Sequence, residues 1–352
     1  MTNLRRKNRG NHRRSRQLQK DRKSTSYSLV GYASFVIAAI VLVRRNDNIA
    51  RVLTLPPSLL ETTVAASAFG TADNKKNLAY EQSYGLLNNI SNTQWEELRQ
   101  KTKQRSWFAN PENPLDRIDD TVWWNAHNLL PTFDCPQLGR IGSGPATDKE
   151  GTKMMCAPQN FRHRGDCLIY SIGSAGNYRW EDDVAKMHNY QCEIHVFDPA
   201  DSFARPGDVE NKNIHYHAWG IVSSYDQESK SVVWPKGRGG GFKTFAQTLE
   251  ELNHKDRIMD IFKIDCEGCE WSSHKDWIGH GMRQILIETH GVPTPRGTPK
   301  ARWYQRPMNV VEDYWKDFAD NGYALYSRDP NGELGMELAF MKLTDDFWKD
   351  DS

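Results

Sequence analysis

The chain has 352 residues and a net charge of only +1, with 38% hydrophobic residues and twelve Trp, which sustains one sizeable core of catalytic-domain size plus extensions rather than two equal domains. The balance hides an asymmetry: Met1 to Lys23 holds ten Lys or Arg and one acid, so this arm is +9 and the remaining chain, by difference from +1, is −8. An acidic body excludes a nucleic-acid enzyme that depends on a positive surface field.

The basic arm, 1–23, precedes twenty uncharged residues from Ser24 to Val43, apolar from Leu29 onward and closed by Arg44-Arg45. About twenty mostly apolar residues span a bilayer as a helix, and the more basic flank stays cytoplasmic. Residues 24–43 are therefore expected to be a transmembrane signal anchor that places the body in the ER or Golgi lumen. A transit peptide to an organelle or a cleaved signal peptide are the competing readings, since both share parts of this pattern.

Residues 44–106 read as a stem with a helical part, Asn77 to Arg105, where Leu86, Leu87, Ile90, Trp95 and Leu98 recur at helical spacing. Asn89-Ile90-Ser91 within it is a glycosylation sequon. An irregular lead-in, 107–166, carries Cys135 and Cys156, a plausible disulfide in a lumenal protein. Cys167, Cys192, Cys266 and Cys269 are equally well read as buried thiols. The Cys266-x-x-Cys269 pair has no partner pair at zinc-finger spacing.

The domain proper is expected over 167–345. Leu168 to Ile172 is an apolar strand, Gly173-Ser174-Ala175-Gly176 a turn, and a helix follows from about Trp180 before a second strand that ends on Asp198. Glycines beyond a strand let backbone approach a ligand, and an acid about twenty residues later can take both hydroxyls of a ribose. Ala175 and Tyr178 stand where the dinucleotide fingerprint needs its second and third glycines, which removes that reading.

Ile214 to Ile221 suits a third strand and Phe245 to Leu252 a helix. The apolar run in IMDIFKIDCEGCEW (258–271) ends on Asp265 with Glu267 beyond it, and Gln284 to Ile287 leads to Glu288, Thr289 and His290. In an open α/β sheet such strand-end residues share the edge where ligands bind. Val310 to Asn321 is an amphipathic helix, and two closing strands, Tyr323 to Tyr326 and Leu338 to Leu343, complete a mixed sheet.

In order, YSIGSAGN, HVFDP, HAWGI, TLEEL, FKIDCEGCEW, ILIETH and ELAFMKL resemble the S-adenosylmethionine-dependent methyltransferase domain of the methyltransferase-like protein 24 type, a relative of the FkbM methyltransferases, over about Trp123 to Leu343. The resemblance implies an α/β class I fold: a Rossmann-like seven-stranded mixed sheet with its last strand antiparallel. It also implies S-adenosylmethionine as cofactor, with Gly173, Ser174 and Gly176 at its methionine part, Asp198 on the ribose and Trp219 near the adenine. Many methyltransferases carry an acid two residues before the first glycine. Ser171 stands there, and Glu181 is the candidate substitute.

The expected reaction is O-methylation of a glycan, small-molecule or protein acceptor, with His290 or Asp265 as base and Glu267 positioning the acceptor. The acids can also hold a divalent metal, but no residue is assigned as a ligand. The alternative is a non-catalytic Rossmann-fold binding module tethered to a membrane, with Ser171 a sign of lost cofactor binding.

Overall fold

The computed structural model describes residues 77–108, 128–142, 151–161, 166–204, 213–229, 241–294, 305–331 and 335–350. No helix in these is long and apolar enough to cross a membrane. The expected arm and anchor (1–23, 24–43) and the stem as far as residue 76 lie outside the described residues.

Seven strands form the central sheet: β1 (Leu168–Ile172), β2 (Glu193–Phe197), β3 (Ile214–His217), β4 (Ile261–Ile264), β5 (Gln284–His290), β6 (Tyr323–Asn331) and β7 (Gly335–Lys342). Their order across the sheet is β3-β2-β1-β4-β5-β7-β6. β7 runs antiparallel between β5 and β6, and β3-β2-β1-β4-β5 are parallel. This is the Rossmann-like mixed sheet the motifs imply. The order reverses between β1 and β4, which opens a crevice beyond the carboxyl ends of those strands.

Register sets what lies at that edge. Ile172 pairs with Phe197 on one side and Ile264 on the other, and Ile264 pairs with Ile287. Gly173, Asp198, Asp265 and Glu288 are each the next residue, so four strands deliver them at one level.

The inner parallel strands β1, β2, β4 and β5 are buried on both faces, while the edge strand β3 is only partly covered. Alternation along β1 sends Leu168, Tyr170 and Ile172 into one core and Ile169 into the other. The first core is closed by α4 (Phe245–Glu251), α5 (Cys269–Trp277) and α6 (Met308–Asp320). In α6, Val311, Tyr314, Trp315 and Phe318 are buried at helical spacing, and Gly322 ends the segment at φ +72°. The second core takes α1 (Leu78–Gln82), α2 (Asn92–Gln104) and α3 (Arg179–Met187). Trp95 of α2 packs edge-on against Phe133 and Phe347, so the helical part of 77–105 is fastened to the body.

Two local expectations need correction. Ile214 to Ile221 is not one strand: after β3, Trp219–Ile221 leaves the sheet and pairs with Gly241–Lys243. All six cysteines are bridged, as Cys135–Cys156, Cys167–Cys192 and Cys266–Cys269. Cys167 and Cys192 immediately precede adjacent parallel strands, and that pairing, invisible in the chain, brings their Cα atoms to 4.6 Å.

The β2–β3 end of the first core is built from histidines. His195 Nε2 lies 2.9 Å from Glu193 and Nδ1 2.7 Å from His217 Nε2, and His254 Nδ1 lies 2.8 Å from the Tyr170 hydroxyl. Burial, outweighing the Glu193 contact, lowers His195 to about 4, and burial with neighbouring imidazoles lowers His217 to about 3. These folded pKa values lie below 6.5, so the unfolded chain takes up protons first. The cluster's contribution to stability is complete above about pH 6.5 and falls as pH drops toward 4. At pH 5 the loss from His195 alone should be about 2 kcal/mol relative to pH 8. Because Glu288 and His290 are shifted in the opposite sense, the check is the difference between the parent and His195→Phe in denaturant titrations at the two pH values: the parent should lose about 2 kcal/mol more than the variant, and equal changes in both would show the cluster is not buried neutral.

Candidate active site

The turn after β1 is held open by what cannot fit there. Gly173 has φ +77°, and a Cβ on it would lie 1.7 Å from the Asp265 carbonyl oxygen. Only glycine lets the β1 and β4 ends come this close. Ala175 and Gly176 also lie in the left-handed region, at φ +48° and +77°. Asp198 ties the turn to β2: Oδ2 accepts from the Ala175 amide at 3.1 Å and Oδ1 from the Ala200 amide at 3.2 Å. Each oxygen retains lone-pair capacity for a further donor. The Ser174 side chain turns inward, where its Oγ accepts from the Gly176 amide at 3.3 Å.

Behind the turn lies a buried polar knot. Glu181, fully buried on α3, accepts from Ser171 Oγ at 2.5 Å, and Lys263 Nζ reaches Ser171 Oγ at 3.1 Å, Gly173 O at 3.3 Å and Glu181 Oε1 at 3.4 Å. Glu181 thus brings a carboxylate back to the level of β1 where Ser171 stands. Its Oε2 is buried without a hydrogen-bond partner, an orphaned acceptor beside the turn. Trp219 is half-buried, 4.6 Å from His217 and 5.7 Å from Phe197 between ring centres, with Lys243 Nζ 3.7 Å above its indole.

Across the crevice, β4, β5 and β7 gather charge. Lys153, on the strand Lys153–Cys156, has a side chain 2% exposed and reaches Glu337 Oε1 at 2.5 Å, Asp265 Oδ2 at 3.1 Å and Glu288 Oε2 at 3.4 Å. Burial alone would lower its pKa, but the three acids hold it above the ordinary lysine value. Burial by itself would raise the Asp265 carboxyl, yet Lys153, Lys263 and His290 outweigh it and keep the carboxyl below its usual range. Glu288 is pushed up to about 9 by burial and by Asp265 and Glu337. Gly335 makes room for it, since a Cβ there would lie 2.3 Å from Glu288 Oε1.

His290 is oriented by buried Glu270, whose Oε1 accepts from the His290 amide at 2.6 Å and lies 3.1 Å from Nδ1. Burial opposes charge on this ring, but Glu270, Glu288 and Asp265 raise it to about 9. At neutral pH the imidazolium has no lone pair, so of the two expected bases Asp265 is the one in basic form. Glu267, at φ +57°, is largely exposed with Oε2 3.8 Å from His290 Nε2.

The structure therefore brings Asp265, Glu267 and His290 together, and separately Gly173, Ser174, Gly176, Asp198 and Glu181, with Trp219 flanking the β2 end. Sequence reasoning missed Lys153, Lys263 and Glu337. Lys263 left a signal, a lysine inside the wholly buried strand IFKI, where a charge must be paired. Lys153 and Glu337 left none, because their partners lie far along the chain. Lys153→Met should lower stability by about 3–5 kcal/mol by leaving buried acids unpaired. Adding Glu337→Gln should recover part of that in denaturant titrations; an unaffected single variant would refute the pairing.

A methyltransferase-domain model matches residues 77–342. No curated protein matches. Solved structures with some likeness include a fibrillarin/Nop5p complex (11% identity, 53% of this chain and 79% of that one, TM-score 0.30). Another is a putative S-adenosylmethionine dependent methyltransferase from Listeria monocytogenes (8%, 50% and 91%, TM-score 0.29). A third is magnesium protoporphyrin IX methyltransferase from Synechocystis PCC 6803 with bound SAM (13%, 50% and 70%, TM-score 0.26). Likeness at these scores decides nothing, and the assignment rests on the sequence match: spanning α1 to the end of β7, it places the chain in the methyltransferase-domain family.

Proposed function

We propose that this protein is an S-adenosylmethionine-dependent methyltransferase acting on an oxygen of its acceptor. The observation that carries the reading is one level of the sheet edge: a glycine turn and acid suited to the cofactor beyond β1 and β2, and an acid–histidine cluster beyond β4 and β5. The residues fit the cofactor by their own geometry. Gly173 keeps the crevice free of side-chain atoms, Asp198 offers acceptor capacity for ribose hydroxyls, and the free Glu181 Oε2 is suited to an ammonium group. Trp219 offers a ring at the β2 end for the adenine. The motif blocks support the finer relation to the methyltransferase-like protein 24 type and the FkbM group.

When bound, the cofactor supplies an activated methyl group on a sulfonium. The chain's part is to align an acceptor oxygen with that methyl and to take its proton. Asp265 is suited to the proton, Glu267 to positioning the acceptor, and His290, oriented by Glu270, to stabilising negative charge. The three disulfides support an oxidising compartment, so glycans, secreted proteins or lumenal small molecules are the reachable acceptors.

Calorimetry with S-adenosylmethionine and S-adenosylhomocysteine should show one site. Asp198→Ala should weaken it about 10- to 100-fold, the loss of a charged hydrogen bond. Asp265→Asn and His290→Gln should keep cofactor binding. Failure of a folded parent to bind either ligand would turn the reading toward the non-catalytic module. In a lumenal body, exposed Asn89 should carry a glycan; a glycosidase-sensitive mass shift lost in Asn89→Gln is expected, and an unmodified Asn89 would remove this support for the lumen.

A further inference from the structure

The Cys266–Cys269 disulfide takes no part in the proposed reaction, yet its ring encloses Glu267 and Gly268 and begins directly after Asp265 at the end of β4. The other two bridges join residues 21 and 25 positions apart, and this one spans 3. A disulfide stabilises a fold mainly by closing a loop in the unfolded chain, and a longer loop gives more, so the shortest ring contributes least. Access differs in the same direction. Cys156, Cys167 and Cys192 are 0%, 1% and 0% exposed, whereas Cys266 and Cys269 are both half-buried, so of the three pairs this is the one with neither residue buried. Thiol–disulfide exchange needs a sulfur that an incoming thiolate can reach.

The surroundings suit that chemistry. Cys269 is the first residue of α5, where the helix dipole favours a thiolate and so makes its sulfur the better leaving group. Cys266 Sγ lies 3.3 Å from Glu270 Oε2, which also accepts from the Gly268 amide at 2.9 Å, so a reduced Cys266 has a carboxylate to donate to. Glu270 Oε1 meanwhile accepts from the His290 amide at 2.6 Å. One buried carboxylate thus ties the disulfide ring to the histidine. Inside the ring, Glu267 at φ +57° and Gly268 at φ +113° are both left-handed, a conformation unfavourable for Glu267 that ring closure helps to hold.

We propose that Cys266–Cys269 is a site of thiol–disulfide exchange with a glutathione-type thiol, and that its opening frees the Glu267–Gly268 loop. A glutathione thiolate attacks Cys266 Sγ, the Cys266–Cys269 bond breaks, and Cys269 leaves as a thiolate. A second glutathione thiolate attacks the glutathione sulfur of the mixed disulfide and releases Cys266. Two glutathione thiols are oxidised to one disulfide, the protein's disulfide is reduced to two thiols, and the two protons pass to Cys266 and Cys269. The consequence for the acceptor, through Glu267, rests on the methyl-transfer reading; the exchange site itself does not.

The test is a glutathione titration of the folded full chain, with the ratio of reduced to oxidised form varied over about a hundredfold, followed by alkylation and peptide mass mapping. Two alkylated thiols are expected, at Cys266 and Cys269, while Cys135–Cys156 and Cys167–Cys192 stay closed. In the opened protein, and in the double variant Cys266→Ser with Cys269→Ser, the Gly268 and His290 amides should exchange hydrogen about tenfold faster, with α2 unchanged. Another bridge opening first, or no thiol before the chain unfolds, overturns the exchange site. Opening with unchanged exchange at Gly268 overturns the loop release. S-adenosylmethionine calorimetry on the oxidised preparation keeps the two readings apart. If the cofactor binds and the pair does not open, the exchange site alone falls; if the pair opens and the cofactor does not bind, the methyl-transfer reading alone falls.

Discussion

One buried ammonium holds the catalytic edge of this sheet together. Lys153 comes from a segment before the domain's first sheet strand, yet it meets acids from β4, β5 and β7 at once. Without it, Asp265, Glu288 and Glu337 would stand close together in a poorly solvated place, where like charges repel strongly. The same contact fastens the lead-in strand to the sheet, reinforced by Cys135–Cys156 and by Gln284, whose Nε2 donates to the Cys156 carbonyl at 2.7 Å. A segment that looks like an irregular preamble is thereby part of the site.

The opposite half of the crevice follows the same rule on a smaller scale. Lys263 lies inside a strand that is otherwise apolar, and it is tolerated because Ser171, Glu181 and the Gly173 carbonyl surround its ammonium. That knot underlies the glycine turn, while Asp198 grips it from β2. The turn's shape is thus over-determined by backbone sterics at Gly173, by the hydrogen bond from the Ala175 amide to Asp198 and by buried charge beneath. Strained φ values at Ala175 and Glu267 are the local expense of two pre-formed loops facing one another.

Much of the architecture was legible in the chain because it depends on short-range patterning. The apolar runs, the glycine turn and the amphipathic helix ending near Gly322 read directly as β1, the crevice and α6, and placing Asp198, Asp265 and Glu288 at strand ends implied that parallel pairing would align them. The errors have physical causes. Trp219–Ile221 looks continuous with β3 in apolarity, but its hydrogen bonds go to a distant strand, which no periodicity reports. Cys167 and Cys192 look like separate core thiols until β1 and β2 pair. His290 looks like a base by residue type, but its charge state is set by the acids around it, which come from other elements.

By itself the sequence determined the order of strands and helices, the acids at strand ends and the need for glycine at the turn, because strand periodicity, chain reversal and backbone sterics act over a few neighbouring residues. Only the tertiary structure decided that Lys153 and Glu337 join Asp265 and Glu288. Only it turned Glu181 toward Ser171, and set His290 against Glu270 with Asp265 and Glu288 nearby. Those are contacts between residues separated by up to 184 positions, and Coulomb interactions depend on distance through space, not along the chain.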